Sequence, residues 1–127
     1  MNKTPPTPQR QGSDVSDRLL DHTANCLGLA GSLPDDRAGG HLADQLIRTA
    51  TSAYLHHGEA EGSPSAKAFT EKFRECLVDL RTNRRVLQLL EKAGIPCDGL
   101  AVRTALEQAD ILIRIFFSSI RTLEAKV

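Results

Sequence analysis

The sequence predicts an all-α protein, an antiparallel up-down-up-down four-helix bundle. Three observations carry this expectation. Apolar residues recur at i, i+3, i+4 and i+7 in four separate segments. The breaks between segments are short and rich in Gly and Pro, which makes consecutive helices antiparallel neighbours. No alternation of period two is present, no glycine-rich turn joins two apolar strands, and no internal repeat occurs.

The elements follow in order. Residues 1–13 hold Pro, Thr, Gln and Gly with nothing to bury and read as a disordered tail. The single bundle domain is expected over residues 14–127. Its first helix runs from about Asp14 to Ser32, with Val15, Leu19, His22/Thr23, Cys26/Leu27, Ala30 and Leu33 inward and Ser13 or Asp14 as the cap. Pro34 and the Gly39-Gly40 pair act as stop signals. The second helix runs from about Gly40 to Glu61, with Leu42, Ala43, Leu46, Ile47, Ala50, Ala53, Tyr54 and His57 as its stripe. The alanines on that stripe allow another helix to approach closely.

The third helix is expected from about Pro64, capped by Ser63, to Ala93. Phe69, Phe73, Cys76/Leu77, Leu80, Leu87 and Leu90 point inward. Gly94 supplies the left-handed C-terminal residue, and Pro96 prevents continuation. Asp98 caps a fourth helix that runs to about Ala125.

Composition bounds the function. The 127 residues carry 16 Lys+Arg against 16 Asp+Glu, with 25% charged and 40% hydrophobic residues, the ordinary balance of one globular domain. No run approaches the roughly 18 apolar residues of a membrane span. The proline-rich first residues do not resemble a secretory signal. At 4% aromatics and no Trp, a base-stacking platform is not expected. The three cysteines, Cys26, Cys76 and Cys97, form no CxxC pair and point to a reducing cytoplasm. Cys26 and Cys76 belong to apolar faces; Cys97 sits in a turn, where exposure is possible.

The fourth segment has two apolar sides. With about 100° per residue and Ile113 at the centre of the core face, Val102, Leu106, Ala109, Phe116, Phe117 and Ile120 share its side. Leu112, Ala105 and Leu123 fall along its edge. Arg103, Asp110, Arg114 and Arg121 form a charged stripe. Ile111 and Ile115 land on the far side with Leu100, Thr104, Ser118 and Thr122, a strip without charge. A lone bundle solvates such a strip with Lys and Glu, so a homo-oligomer interface is expected there. Val78, Val86 and Leu89 on the back of the third helix belong to the same expectation.

Chemistry is sparse. His56-His57-Gly58-Glu59 is the one clustering of ligand-type residues, and His56/Glu59 meets helical ligand spacing once. Catalytic zinc takes three protein ligands and di-iron bundles need a second Glu-x-x-His helix, so no metal and no cofactor are expected. No nucleophile elbow, P-loop or G-x-G-x-x-G is present, and an enzyme is not expected. Asp79, near Arg81, Arg84 and Arg85, reads as an ion-paired structural carboxylate.

The charge is polarised along the chain. Residues 1–62 carry 5 basic and 8 acidic groups, and residues 63–97 carry 7 and 4. Arg74, Arg81, Arg84, Arg85 and Lys92, with Gln88, recur at helical spacing and form a candidate phosphate-contacting strip. The neutral total limits the counterion release that drives typical nucleic-acid binding.

Residues 45–94 resemble the four-helix-bundle family of 23S ribosomal RNA intervening-sequence proteins. That family shows Gln-Leu-x-Arg-x-x-x-Ser, then Asn-x-x-Glu-Ala. An Asp-Phe helix start, a Leu-Lys-Glu-Ala core and a Trp-Leu-x-Leu-Leu run ending in Gly follow. Here the parallel stretch is Gln45-Leu46-Ile47-Arg48-Thr49-Ala50-Thr51-Ser52, then Glu59-Ala60. It continues with Ser65, Phe69, Lys72, Leu77 and Asp79, then Leu87-Gln88-Leu89-Leu90 and Gly94. Helix order and lengths extend the likeness to about residues 15–125. His56 stands where the family has Asn, Asp79 where it has Glu, and Val86 where it has Trp.

The resemblance implies a cytoplasmic, non-enzymatic bacterial protein that assembles as a homopentameric ring. A related accessory protein of diversity-generating retroelements binds nucleic acid and a reverse transcriptase. Two functions are therefore expected to compete. One is an oligomeric scaffold for RNA or a nucleic-acid-processing protein; the other is a protein-interaction adaptor without nucleic acid. No membrane partner is expected.

Overall fold

Four helices fill residues 11–126, the span that the computed structural model describes, with side chains from Asp14 to Lys126. They are α1 (Gln11–Gly31), α2 (Arg37–Glu61), α3 (Ala66–Ala93) and α4 (Gly99–Ala125). Of the tail expected at residues 1–13, residues 1–10 lie outside the described residues, and Gln11–Ser13 belong to α1.

Helix starts follow side-chain oxygens that satisfy free backbone N–H groups. Asp36 caps α2 by accepting from Gly39 N at 2.8 Å, so α2 begins before the Gly39-Gly40 pair, which is not a stop. Gly39 is needed for another reason: a Cβ there would meet the Pro34 carbonyl oxygen at 2.2 Å. Ser65, rather than Ser63, caps α3 by accepting from Ala68 N at 3.1 Å, which leaves Pro64 outside the helix. The expected roles of Gly94, at φ 69°, and of Asp98, which accepts from Leu100 N and Ala101 N, are those found.

Each helix packs against its neighbours in sequence, and α1 packs against α4. The four therefore close a square with α1–α3 and α2–α4 on the diagonals: an all-α four-helix bundle. Two apolar clusters fill it. One is aliphatic, built on Leu29, Leu33, Leu42, Leu46, Leu87, Leu90 and Val102. The other holds Leu19, Leu80, Leu112 and Ile120 around Phe73 and Phe116, whose ring centroids lie 4.8 Å apart.

A polar layer crosses the middle of the bundle. His22 of α1 donates from Nε2 to Asn83 Oδ1 of α3 at 2.7 Å, along the diagonal. Asn83 Nδ2 donates to Thr49 Oγ1 of α2 at 3.1 Å, and Thr49 donates to the Gln45 carbonyl at 2.8 Å. The Gln108 side-chain amide of α4 lies 3.3 Å from His22 Nδ1 and accepts from Asn25 at 3.2 Å. All four helices meet in this layer. Burial holds the pKa of the His22 imidazole below its usual range, and every buried side-chain polar atom among the described residues has a partner.

The inward line of α4 runs through Val102, Ala105, Ala109, Leu112, Phe116 and Ile120. Ile113, expected at its centre, is half-buried at one edge, and Phe117 is exposed. The small residues Ala105 and Ala109, not the densest apolar run, mark where neighbouring helices come close.

Candidate functional site

Two runs of residues at helical spacing face each other across the α2–α3 seam. Ser52, His56 and Glu59 come from α2; Lys72, Glu75 and Asp79 come from α3. His56 donates from Nδ1 to Asp79 Oδ2 at 2.6 Å, and Ser52 Oγ donates to the same oxygen at 2.9 Å. On the other side of the ring, Nε2 lies 3.2 Å from Glu75 Oε1. Lys72 Nζ bridges Glu59 Oε1 at 2.8 Å and Glu75 Oε1 at 3.3 Å. The hydrogen bond from Lys72 holds the Glu59 carboxyl below its usual range, and the bond to Glu59 pushes the Lys72 ammonium up.

This cluster gathers Ser52, Glu59 and Lys72, which carried the family resemblance, together with its departures His56 and Asp79. Asp79 is paired, though to His56 and Ser52 rather than to the arginines beside it in sequence. Glu75 was missed; its three-residue spacing from Lys72 is the signal that could have found it. The cluster is not a nucleophilic triad. Ser52 sits on the Nδ1 side of His56 and shares Asp79 with it, so the ring has no free nitrogen aimed at the hydroxyl.

The candidate phosphate-contacting residues divide. Arg74 pairs with Glu124 at 2.5 Å and Arg84 pairs with Asp110, both across the α3–α4 seam. The Arg81 guanidinium lies 6.0 Å from the centre of the Phe117 ring, and Arg121 lies 5.9 Å from it. Arg85 and Lys92 are exposed and make no ion pair among the described residues. The strip is thus half neutralised by α4, which a single-helix reading of α3 does not show.

The candidate interface residues divide as well. Leu100 is 68% exposed, Val78 61% and Leu89 51%; Thr104 and Ile111 are also exposed. Ile115 is half-buried. Val86 is buried in the aliphatic cluster with Leu42, Leu46 and Ala50, and its assignment to an outer face is corrected. The small residues of α2, such as Ala50, let the two helices approach closely enough for α2 to cover it. Ile111 shares a notch with Arg18 and Asp21 of α1, so its surroundings carry charge that the α4 wheel alone cannot reveal.

Leu20 on α1 and Leu55 on α2 are exposed apolar residues, and so are Leu27 and Ile47, whose expected inward placement is corrected: the fully buried Cys26 and Leu46 take the core positions beside them. Thr23 Oγ1 reaches the Ala50 carbonyl at 3.3 Å, a register that sets Leu27 about level with Ile47. The signal was available: Leu20 and Leu27 repeat at seven residues on one side of α1.

One end of the bundle holds a cavity of about 510 Å³ lined by Val15, His57, Phe69, Phe73 and Leu123, with Glu61 and the Ser118, Ser119 and Thr122 hydroxyls. His57 packs beside Phe73 and Phe116, and burial lowers its pKa. The cysteines are all free. Burial pushes the Cys26 thiol up to about 11 and the Cys76 thiol up to about 12, while burial and Asp98 raise that of half-buried Cys97. None has the lowered pKa of a reactive thiol.

No family model matches the chain, and no curated protein matches it. Among solved structures the chain is similar to a protein of unknown function from the S23 ribosomal protein family of Bacteroides thetaiotaomicron. The TM-score is 0.74 at 20% identity, over 84% of this chain and 97% of that one. At that identity the likeness is one of fold. No helix among the described residues is long and apolar enough to cross a membrane.

Proposed function

We propose that this chain is a non-enzymatic scaffold of the 23S ribosomal RNA intervening-sequence type, acting as a cytoplasmic homo-oligomer, with a closed ring of five as the expected form. One observation carries the reading: among the described residues, nine large apolar side chains stand at least 37% exposed, on all four helices. Burying each contributes on the order of 1–3 kcal/mol. A partner surface uses them; a lone bundle leaves them wet. The shared fold with an S23 ribosomal protein family member supports the same reading.

Protein contact is favoured over RNA contact as the main mode. Arg74 and Arg84 are paired within the chain and Arg81 lies over a ring, leaving Arg85 and Lys92 as the free cations of the strip. RNA binding through those two residues is the second reading, supported by their exposure. The test pairs two double variants. Val78→Glu with Leu89→Glu lowers the particle mass while helicity stays native. Arg85→Glu with Lys92→Glu leaves the mass unchanged and removes salt-sensitive binding to structured RNA. Native mass in the first variant removes the α3 face from the interface, and unchanged RNA binding in the second removes the strip.

A further inference from the structure

The sequence offers two metal-type ligands in register, His56 and Glu59, one short of a site. The fold supplies a third from the facing helix. His56, Glu59 and Glu75 each bring one ligand atom within 4.8 Å of the others. For bonds of about 2.0–2.2 Å, tetrahedral ligand atoms stand about 3.3–3.6 Å apart. The 3.2 Å between His56 Nε2 and Glu75 Oε1 is already close to such an edge. Glu59 is exposed at the rim, with its ligand atom within 4.8 Å of the other two.

The imidazole is also prepared. Its Nδ1–H is committed to Asp79 Oδ2 at 2.6 Å, and Ser52 Oγ donates to the same oxygen at 2.9 Å. The opposite ring nitrogen, Nε2, faces Glu75 Oε1 at 3.2 Å, so the nitrogen and the carboxylate present their ligand atoms to the same spot. A carboxylate behind the ring that fixes the metal-binding nitrogen is the usual support of a metal-bound histidine. The spot already gathers a cation, since Lys72 Nζ bridges Glu59 and Glu75.

We propose that His56, Glu59 and Glu75 form a binding site for a divalent transition-metal ion of the zinc class, oriented by Asp79. The ion displaces the Lys72 ammonium from the two glutamates and leaves a fourth position open to water. The nitrogen donor selects against magnesium and calcium, which take oxygen ligands. The site ties α2 to α3, so the ion stabilises the bundle by binding the folded state alone. This inference stands apart from the assembly proposal and does not depend on it.

The test is calorimetric titration of the full chain with zinc chloride in a non-chelating buffer, with magnesium chloride as the control. The expected result is one zinc per chain, no magnesium binding, and a melting temperature that rises with zinc. His56→Asn and Glu75→Gln each weaken zinc binding at least about tenfold, and Asp79→Asn weakens it about 10–100-fold. Lys72→Gln tightens it, because the competing ammonium is gone; a purely structural ion-pair network has no reason to behave so. Glu75 is exposed, so Glu75→Gln keeps the fold even where the His56 variant does not. Absence of saturable zinc binding overturns the proposal, and so does zinc binding that survives both His56→Asn and Glu75→Gln.

Discussion

His22 and His56 both bridge helices and both bond a side-chain oxygen at 2.6–2.7 Å, yet they occupy opposite environments. His22 is sealed in the centre of the bundle, held by the uncharged side-chain amides of Asn83 and Gln108. His56 lies in a seam open to solvent among three carboxylates and a lysine. In the dry layer each lost bond leaves a buried group unpaired, whereas in the wet seam water replaces it. The layer therefore specifies the fold, and the seam is free to bind.

Asn83→Ala should break the comparison most sharply. It strips both His22 and Thr49 of a buried partner and leaves a cavity, with an expected loss of about 2–4 kcal/mol in urea unfolding. Asp79→Asn, in the seam, is expected to cost no more than about 1 kcal/mol. Equal losses at the two sites would erase the distinction.

A second contrast lies on α3. Val86→Ala is expected to destabilise by about 1–2 kcal/mol, since Val86 packs with Leu42 and Leu46. Val78→Ala, on the exposed side, is expected to stay within about 0.5 kcal/mol of native stability and to act on assembly alone. Thermal unfolding of both variants at matched concentration checks the pair.

Stability should also depend on pH with a definite sign. Burial depresses the pKa of His22 and of His57 in the folded chain. Below the unfolded value of about 6.5, the unfolded chain takes up protons that the folded chain resists. Stability is then full above about pH 6.5 and falls as pH drops toward 5. Denaturation curves at the two ends of that window that coincide would contradict a lowered His22 pKa. The smallest effect is expected at the α3–α4 seam, where Arg84→Ala removes a part-exposed pair with Asp110 at a cost below about 1 kcal/mol, reduced further by salt.

The bundle was legible because helix periodicity and the breaks between helices are local signals. Asp98 and Gly94 could be assigned from their neighbours alone. Pro64 suits a first helical turn and so points to Ser63 as the cap, but the oxygen two residues later, that of Ser65, reaches the Ala68 N–H. The sites were less legible because they are made between helices. Asn83 looks like a surface residue until α1 and α2 bring His22 and Thr49 to it. Val86 looks exposed until α2 covers it, and Glu75 looks like a solvated charge until His56 faces it.

The assembly proposal is tested most directly by the mass of the native particle, measured by light scattering or sedimentation across a range of concentrations. The account predicts one stable species at a whole-number multiple of the 13.8 kDa chain, five being the expected number. A particle that stays at the single-chain mass at the highest concentration, with Leu100, Val78 and Leu89 open to water, would contradict it.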